Sequence, residues 1–292
     1  MNRPAVDTRS RSELLRIRGL RLHVRRWGDA ALPRLMLLTG WLDVSASFQF
    51  LAEGLLDRWQ VLCPDWRGFG LSEWAPQGYW IQDYVADLDA LFDHYAGDAP
   101  LPLAGHSMGA QVASLYAGIR PQRVSRLALL DGPFVPDQPT ETAAQRFVAW
   151  LDKLREPPVE KRYASFAELA ERVRRIHPQL SAERALFVAQ CWGREDADGQ
   201  VRLRNDPAHR LPWPTLHRVE NSMAIWQGIT APTLFVDAGR SGVRYLADDE
   251  ITRRRRAFRD HRVERIETAG HMLHLDAPTE TAAVLRQFLA AG

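Results

Sequence analysis

Apolar segments that alternate with amphipathic ones are the feature that most constrains the fold of this 292-residue chain. Four segments have the length and apolar content of buried strands: RLMLLT, QVLCPD, LPLAGH and RLALLD. Each of the first three is followed by a segment with helical spacing of its apolar residues. Such alternation is typical of a mostly parallel β-sheet with helices on both faces. The sequence therefore predicts the α/β fold class.

The remaining segments extend this sheet and interrupt it once. ELLRIRGLRLHVRRWG predicts an opening hairpin that turns at Arg18 and Gly19. After the fourth strand the pattern becomes helical, broken by proline and glycine, until APTLFVDAG resumes the strand type. We therefore predict a core of residues 1–133 and 231–292, with a helical cap of residues 134–230 inserted over the carboxyl edge of the sheet. Open α/β sheets bind ligands at that edge.

Composition and charge argue against several classes of partner. The chain has 38 lysines and arginines and 36 acidic residues, and this net charge of +2 does not indicate a nucleic-acid partner. The first residues contain no apolar signal segment, and no run approaches the roughly 18 apolar residues of a spanning helix. Cys63 and Cys191 show no metal-ligand spacing and no disulfide framework. We expect a cytoplasmic protein that binds no metal, cofactor, nucleic acid or membrane.

A serine between two glycines, in LAGHSMGAQ, lies at a predicted junction between a strand and a helix. This setting is that of a nucleophile elbow, a tight turn that lifts a serine hydroxyl clear of the sheet. Gly105 and Gly109 suit the crowded turn because they carry no side chain. Ser107 is therefore the predicted nucleophile. The N–H of Met108, at the helix start, is a predicted donor to the oxygen that becomes negative in acyl transfer.

A serine nucleophile needs a base, and the base needs a third group to orient it. His271 lies in ETAGHMLHLDAP, between the last predicted strand and the last helix, and it follows the serine in the required chain order. His274, three residues on, is expected on the following turn. The sequence therefore predicts His271 as the base.

The acid of this predicted triad has more than one candidate. Asp131 ends the strand RLALLD and gives the chain order nucleophile, acid, base. Asp237 lies within the strand of APTLFVDAG, while Asp248 and Asp249 begin a predicted helix, where acids favour the positive end of the helix dipole. We predict Asp131 as the acid and keep Asp237 as the alternative.

These segments resemble the α/β-hydrolase superfamily over about residues 12 to 133 and 230 to 292. GHSMGA resembles its elbow, DWRGFGLS a loop after an earlier strand, GHMLHLDAP its histidine loop and LLTGWLD its oxyanion loop. The resemblance implies that the N–H of Trp41 is a second oxyanion donor, although Thr39 stands where a histidine often precedes the glycine.

In much of that superfamily the acid follows the strand that corresponds to APTLFVDAG, where no carboxylate stands in this chain. Some members carry the acid where Asp131 lies. This position and the sequence of the inserted segment are similar to the serine-hydrolase-like and esterase-like branch, with the acid after strand six. An elbow serine argues against haloalkane dehalogenases and epoxide hydrolases, which need an aspartate nucleophile.

The resemblance implies a cofactor-independent serine hydrolase that cleaves a carboxylic ester or related small-molecule acyl substrate through an acyl-enzyme. Four residues are expected to line the substrate pocket: Trp41, His106, Phe134 and Trp213. Lactone opening, carbon–carbon bond cleavage and perhydrolysis need the same triad and remain open, since they differ in pocket shape. A non-catalytic small-molecule-binding protein on the same fold is the alternative from another class.

Overall fold

Eleven strands are found in the computed structural model, which describes residues 10–76, 78–243 and 246–290. In chain order they are β1 (Arg11–Ile17), β2 (Leu20–Trp27), β3 (Arg34–Leu38), β4 (Gln60–Pro64), β5 (Leu101–His106), β6 (Val124–Leu130), β7 (Arg162–Tyr163), β8 (Gly193–Glu195), β9 (Val201–Leu203), β10 (Thr233–Ala238) and β11 (His261–Ile266). Eight of them form one sheet in the order β1-β2-β4-β3-β5-β6-β10-β11. The pairs β1–β2 and β2–β4 are antiparallel, and all other neighbours in this sheet are parallel. The predicted α/β fold class is thereby confirmed.

Ten α-helices accompany the strands in the described part of the chain. They are α1 (Gln49–Glu53), α2 (Ile81–Ala96), α3 (Met108–Ile119), α4 (Ala143–Arg155), α5 (Phe166–Ile176), α6 (Ala182–Trp192), α7 (Val219–Trp226), α8 (Asp248–Arg255), α9 (Leu273–Asp276) and α10 (Pro278–Ala290). None of the described helices has both the length and the apolar character needed to cross a bilayer.

The helix that the sequence predicts in SASFQFLAEGLLDRW, residues 45–59, is present only in part. The chain there forms a 3₁₀ turn at Ser45–Phe48 and then the short helix α1, which ends at Glu53. The N–H of Ser47 donates to the carbonyl of Val44 at 3.1 Å, the three-residue spacing of a 3₁₀ turn. A Cβ added to Gly54 would lie 2.5 Å from that of Ala282, so this turn packs closely on α10.

Both faces of the large sheet are buried under helices. Along β3, Met36 and Leu38 belong to the apolar layer beneath α2 and α3, whereas Leu35 and Leu37 belong to the layer beneath α10. This alternation is the period of two expected for a strand covered on both sides. The loops at the carboxyl ends of the strands are therefore held by a rigid, close-packed support.

The segment between β6 and β10, residues 134–230, contains α4 to α7 and a small antiparallel sheet in the order β7-β9-β8. The predicted helices of this segment are present, but its three strands were not predicted. They have only two or three residues each, too few to show an alternating pattern. This segment is called the insertion below.

His209, in the insertion, packs against the core and forms hydrogen bonds with it. Its ring is stacked between those of Phe69 and Tyr79, with centroid distances of 3.8 and 3.6 Å. Its Nε2 donates to the carbonyl of Arg67 at 3.2 Å, and the hydroxyl of Tyr84 lies 3.3 Å from its Nδ1. Burial lowers the pKa of His209 to about 3, so the ring is neutral and accepts at Nδ1.

Candidate active site

Ser107 occupies a strained turn between β5 and α3. Its backbone has φ 52° and ψ −116°, a region that costs a non-glycine residue about 1–3 kcal/mol. A Cβ added to Gly105 would lie 2.4 Å from the carbonyl oxygen of Gly109, and one added to Gly109 would lie 2.6 Å from that of Leu38. The two glycines therefore have the steric role that the sequence predicts. The turn places Ser107 in the wall of a cavity.

Asp131 and His271 are brought together from two loops at the same edge of the sheet. Asp131 directly follows β6 with φ 44°, and His271 lies between β11 and α9. His271 Nδ1 donates to Asp131 Oδ2 at 2.6 Å, which leaves Nε2 as the free nitrogen of the ring. Both residues line the cavity that Ser107 lines, although within the described residues the Ser107 hydroxyl makes no hydrogen bond to His271. Such contacts often tighten only when substrate binds.

Ser241, which sequence reasoning missed, contacts the same carboxylate. Its hydroxyl donates to Asp131 Oδ2 at 2.6 Å, and the N–H of Ala238 lies 3.4 Å from Oδ1. Ser241 follows β10, in the stretch where the sequence shows no acid. The alternative acid, Asp237, instead accepts from Arg255 at 2.5 Å. Asp131 is therefore held by donors from two loops and faces His271.

The two predicted oxyanion donors also border the cavity. Trp41 follows Gly40 in the loop after β3, and Met108 is the first residue of α3. A Cβ added to Gly40 would lie 3.3 Å from the Cβ of Ser107, so this loop passes directly against the serine. Within the described part of the chain, the backbone N–H groups of Trp41 and Met108 donate no hydrogen bond. Both N–H groups are therefore available to a ligand in the cavity.

The cavity has a volume of about 600 Å³ and mostly apolar walls. Three of the four predicted pocket residues line it: Trp41, His106 and Phe134. Trp213 does not. It lines a second cavity of about 380 Å³ next to α2 and α3, because Arg146 Nη2 donates to the Trp213 carbonyl at 2.8 Å and holds the chain there. Only Gln111, on α3, borders both cavities in the described structure.

Two further histidines of the cavity are kept neutral. Burial, together with the nearby His271 and His274, lowers the pKa of His106 well below its usual value. Burial also lowers the pKa of His177 to about 4. His106 Nε2 donates to the backbone carbonyl of His271 at 2.7 Å, which supports the loop that carries the predicted base. The cavity therefore offers neutral imidazoles, apolar walls and free N–H groups.

Comparison with known proteins finds similarity along most of the chain. The model of the alpha/beta hydrolase fold family matches residues 33–278. Lipase LipV from Mycobacterium tuberculosis is 30% identical over 273 residues, which cover 92% of this chain and 97% of that protein. The serine hydrolase-like protein from Danio rerio is 25% identical over 273 residues, with 90% and 83% covered. Among solved structures, the thioesterase domain from the curacin biosynthetic pathway has a TM-score of 0.85 at 25% identity, with 94% and 99% covered. The similarity thus includes both the core and the insertion.

Proposed function

Since the chain belongs to the α/β-hydrolase family and is a serine hydrolase, we propose that it cleaves carboxylic esters with Ser107 as nucleophile, His271 as base and Asp131 as acid. The observation that carries this proposal is the 2.6 Å hydrogen bond from His271 Nδ1 to Asp131 Oδ2, in the wall of the cavity that Ser107 lines. This bond fixes the tautomer in which Nε2 can accept a proton.

The proposed reaction has two halves. Ser107 Oγ attacks the ester carbonyl while His271 Nε2 takes the hydroxyl proton, and the imidazolium that forms is stabilised by Asp131. The N–H groups of Trp41 and Met108 stabilise the oxyanion, each contributing on the order of 3 kcal/mol. The bond between the carbonyl carbon and the alcohol oxygen breaks as His271 donates the proton to that oxygen. Water then attacks the acyl-enzyme in the same way, and the carboxylic acid product is released.

The substrate is proposed to carry an apolar acyl group of moderate size. A volume of about 600 Å³ lies within the range of sites for drug-sized ligands, and apolar walls favour uncharged groups. Leu169 and Val173, on α5 of the insertion, line the cavity opposite the loops of the core. We therefore propose that residues 134–230 act as a cap. The relatives include a protein named as a lipase, which supports an ester as the scissile bond.

Labelling with a fluorophosphonate tests the nucleophile, and hydrolysis of p-nitrophenyl esters of increasing acyl length tests the substrate class. The wild type is expected to be labelled and to hydrolyse short and medium esters, whereas Ser107→Ala should do neither. Ser125→Ala, at an exposed serine of β6, is the matched control and should behave as the wild type. Labelling that persists in Ser107→Ala would refute the proposed nucleophile. Turnover of lactones, or of substrates cleaved at a carbon–carbon bond, without hydrolysis of any ester would refute the proposed substrate class.

A further inference from the structure

Asp43, His106 and His274 form a buried cluster beside the proposed nucleophile. Their exposed fractions are 2%, 1% and 0%. Each offers one potential metal-ligand atom, and these atoms all lie within 4.8 Å of one another. The three residues come from three separate segments: the loop of Trp41, the end of β5 and α9, which follows the loop of His271. The cluster therefore joins the segments that carry the proposed catalytic groups.

Two buried nitrogens of this cluster have no partner in the described structure: His106 Nδ1 and His274 Nδ1. The other two atoms, Asp43 Oδ2 and His274 Nε2, contact each other at 3.1 Å. An unpaired buried polar atom costs about 1–3 kcal/mol, and native structures contain few of them. Two unpaired nitrogens beside a buried carboxylate indicate a ligand that binds them.

The outer atoms of Asp43 and His106 are oriented as they are around a metal ion. Asp43 Oδ1 accepts from the N–H of Val44 at 2.8 Å, from Ser47 Oγ at 2.6 Å and from Trp192 Nε1 at 2.8 Å. His106 Nε2 donates to a backbone carbonyl, so the neutral ring presents a lone pair at Nδ1. Metal-bound histidines almost always donate their second nitrogen to a carbonyl or carboxylate in this way.

The residue types of the cluster also suit a cation. Two imidazoles and one carboxylate supply nitrogen and oxygen ligands of the kind that Zn²⁺ prefers. Asp43 and His106 both border the cavity, which supplies an entry path and room for a fourth ligand from water.

We propose that Asp43, His106 and His274 form a binding site for a divalent transition metal, with Zn²⁺ as the expected occupant, and that the bound ion inhibits the hydrolase. Ligand atoms around tetrahedral Zn²⁺ lie about 3.4 Å apart, given bond lengths near 2.1 Å. Asp43 Oδ2 and His274 Nε2 are 3.1 Å apart, and the three ligand atoms all lie within 4.8 Å of one another, which fits a site of about this size.

The charge of the ion is the expected cause of the inhibition. The ring centroid of His106 is 4.7 Å from that of His271. A nearby dication opposes the imidazolium that His271 becomes during catalysis. We expect saturation with Zn²⁺ to lower kcat/KM at least about tenfold. The inhibition rests on the proposed role of His271, whereas the binding does not.

Calorimetric titration of chelator-treated protein with ZnCl₂ tests the binding. The wild type should bind one ion with a Kd in the micromolar range or lower. Asp43→Asn and His274→Gln should weaken the binding at least about tenfold, since each removes a ligand of one ion. His94→Gln, at an exposed histidine outside the cluster, is the matched control and should bind as the wild type. X-ray absorption at the zinc edge of the wild type, which needs no variant, should show two imidazole ligands.

His271→Ala separates this site from the proposed catalytic base. Binding that persists in His271→Ala and is lost in Asp43→Asn supports the buried cluster. Binding that is lost in His271→Ala and kept in Asp43→Asn places the ion on the base and overturns the proposal. The absence of Zn²⁺ binding to the wild type also overturns it. Either outcome leaves ester hydrolysis, measured in chelator, as an independent result.

Discussion

Replacement of Asp131 by Asn removes the charge that the proposed mechanism needs and keeps the shape of the side chain. Asp131 Oδ2 lies 2.6 Å from His271 Nδ1. At an effective dielectric constant of about 20, a carboxylate and an imidazolium at this distance attract each other by about 6 kcal/mol. The amide dipole of Asn retains part of this attraction. A loss of about 4 kcal/mol in the transition state corresponds to a decrease of about a thousandfold in kcat.

The assay is hydrolysis of a p-nitrophenyl ester by the wild type, Asp131→Asn and Asp237→Asn, each measured across the pH range in which histidine titrates. Asp237 is the matched control because its carboxylate contacts Arg255 at 2.5 Å and lies in the neighbouring strand. Because Asp237 contacts Arg255 and not His271, Asp237→Asn should change kcat by no more than about fivefold, or about 1 kcal/mol in the barrier. A large loss in Asp237→Asn, with Asp131→Asn nearly as active as the wild type, would refute the assignment of the acid.

Three further predictions follow from single contacts. Ser241→Ala should lower kcat about tenfold, because a hydrogen bond to a charged group contributes about 1.5–3 kcal/mol; an unchanged kcat would contradict this role. Gly105→Ala should lower the free energy of unfolding, measured in urea, by about 3 kcal/mol or more, because the added Cβ would lie 2.4 Å from the carbonyl oxygen of Gly109. Gly242→Ala is the control: nothing lies within 4 Å of its added Cβ, so its free energy of unfolding should stay within about 0.5 kcal/mol of the wild type. His209 has its pKa lowered to about 3, so the unfolded chain binds its proton first and stability falls as pH drops below about 6.5. Between pH 7 and 5 this group costs about 2 kcal/mol, and His209→Phe should remove that part of the pH dependence; equal slopes would contradict it.

Short-range signals account for what the sequence predicts well. The turn at Ser107 is visible because its glycines are forced by contacts within a few residues and with the adjacent strand. The contact between Asp131 and His271 also agrees with the sequence, since the carboxyl ends of parallel strands meet at one edge of the sheet whatever separates them in the chain. The α/β class follows from the apolar periodicity for the same reason.

Long-range contacts account for what the sequence does not predict. Ser241 carries no charge and no motif, and only the folded chain shows that its hydroxyl meets Asp131. His274 was expected on a turn, and nothing in the spacing indicates its approach to Asp43, more than two hundred residues away in the chain. Trp213 was assigned to the wrong cavity because it lies outside the helices and strands, where the spacing of apolar residues does not indicate which neighbour a side chain meets.

The bond from Trp192 Nε1 to Asp43 Oδ1 joins the insertion to the loop of the proposed oxyanion donor. Trp192 ends α6, and Asp43 lies two residues after Trp41. An outward movement of α6 would break this bond, so we expect this loop to lose the support of the insertion whenever α6 moves away from the core.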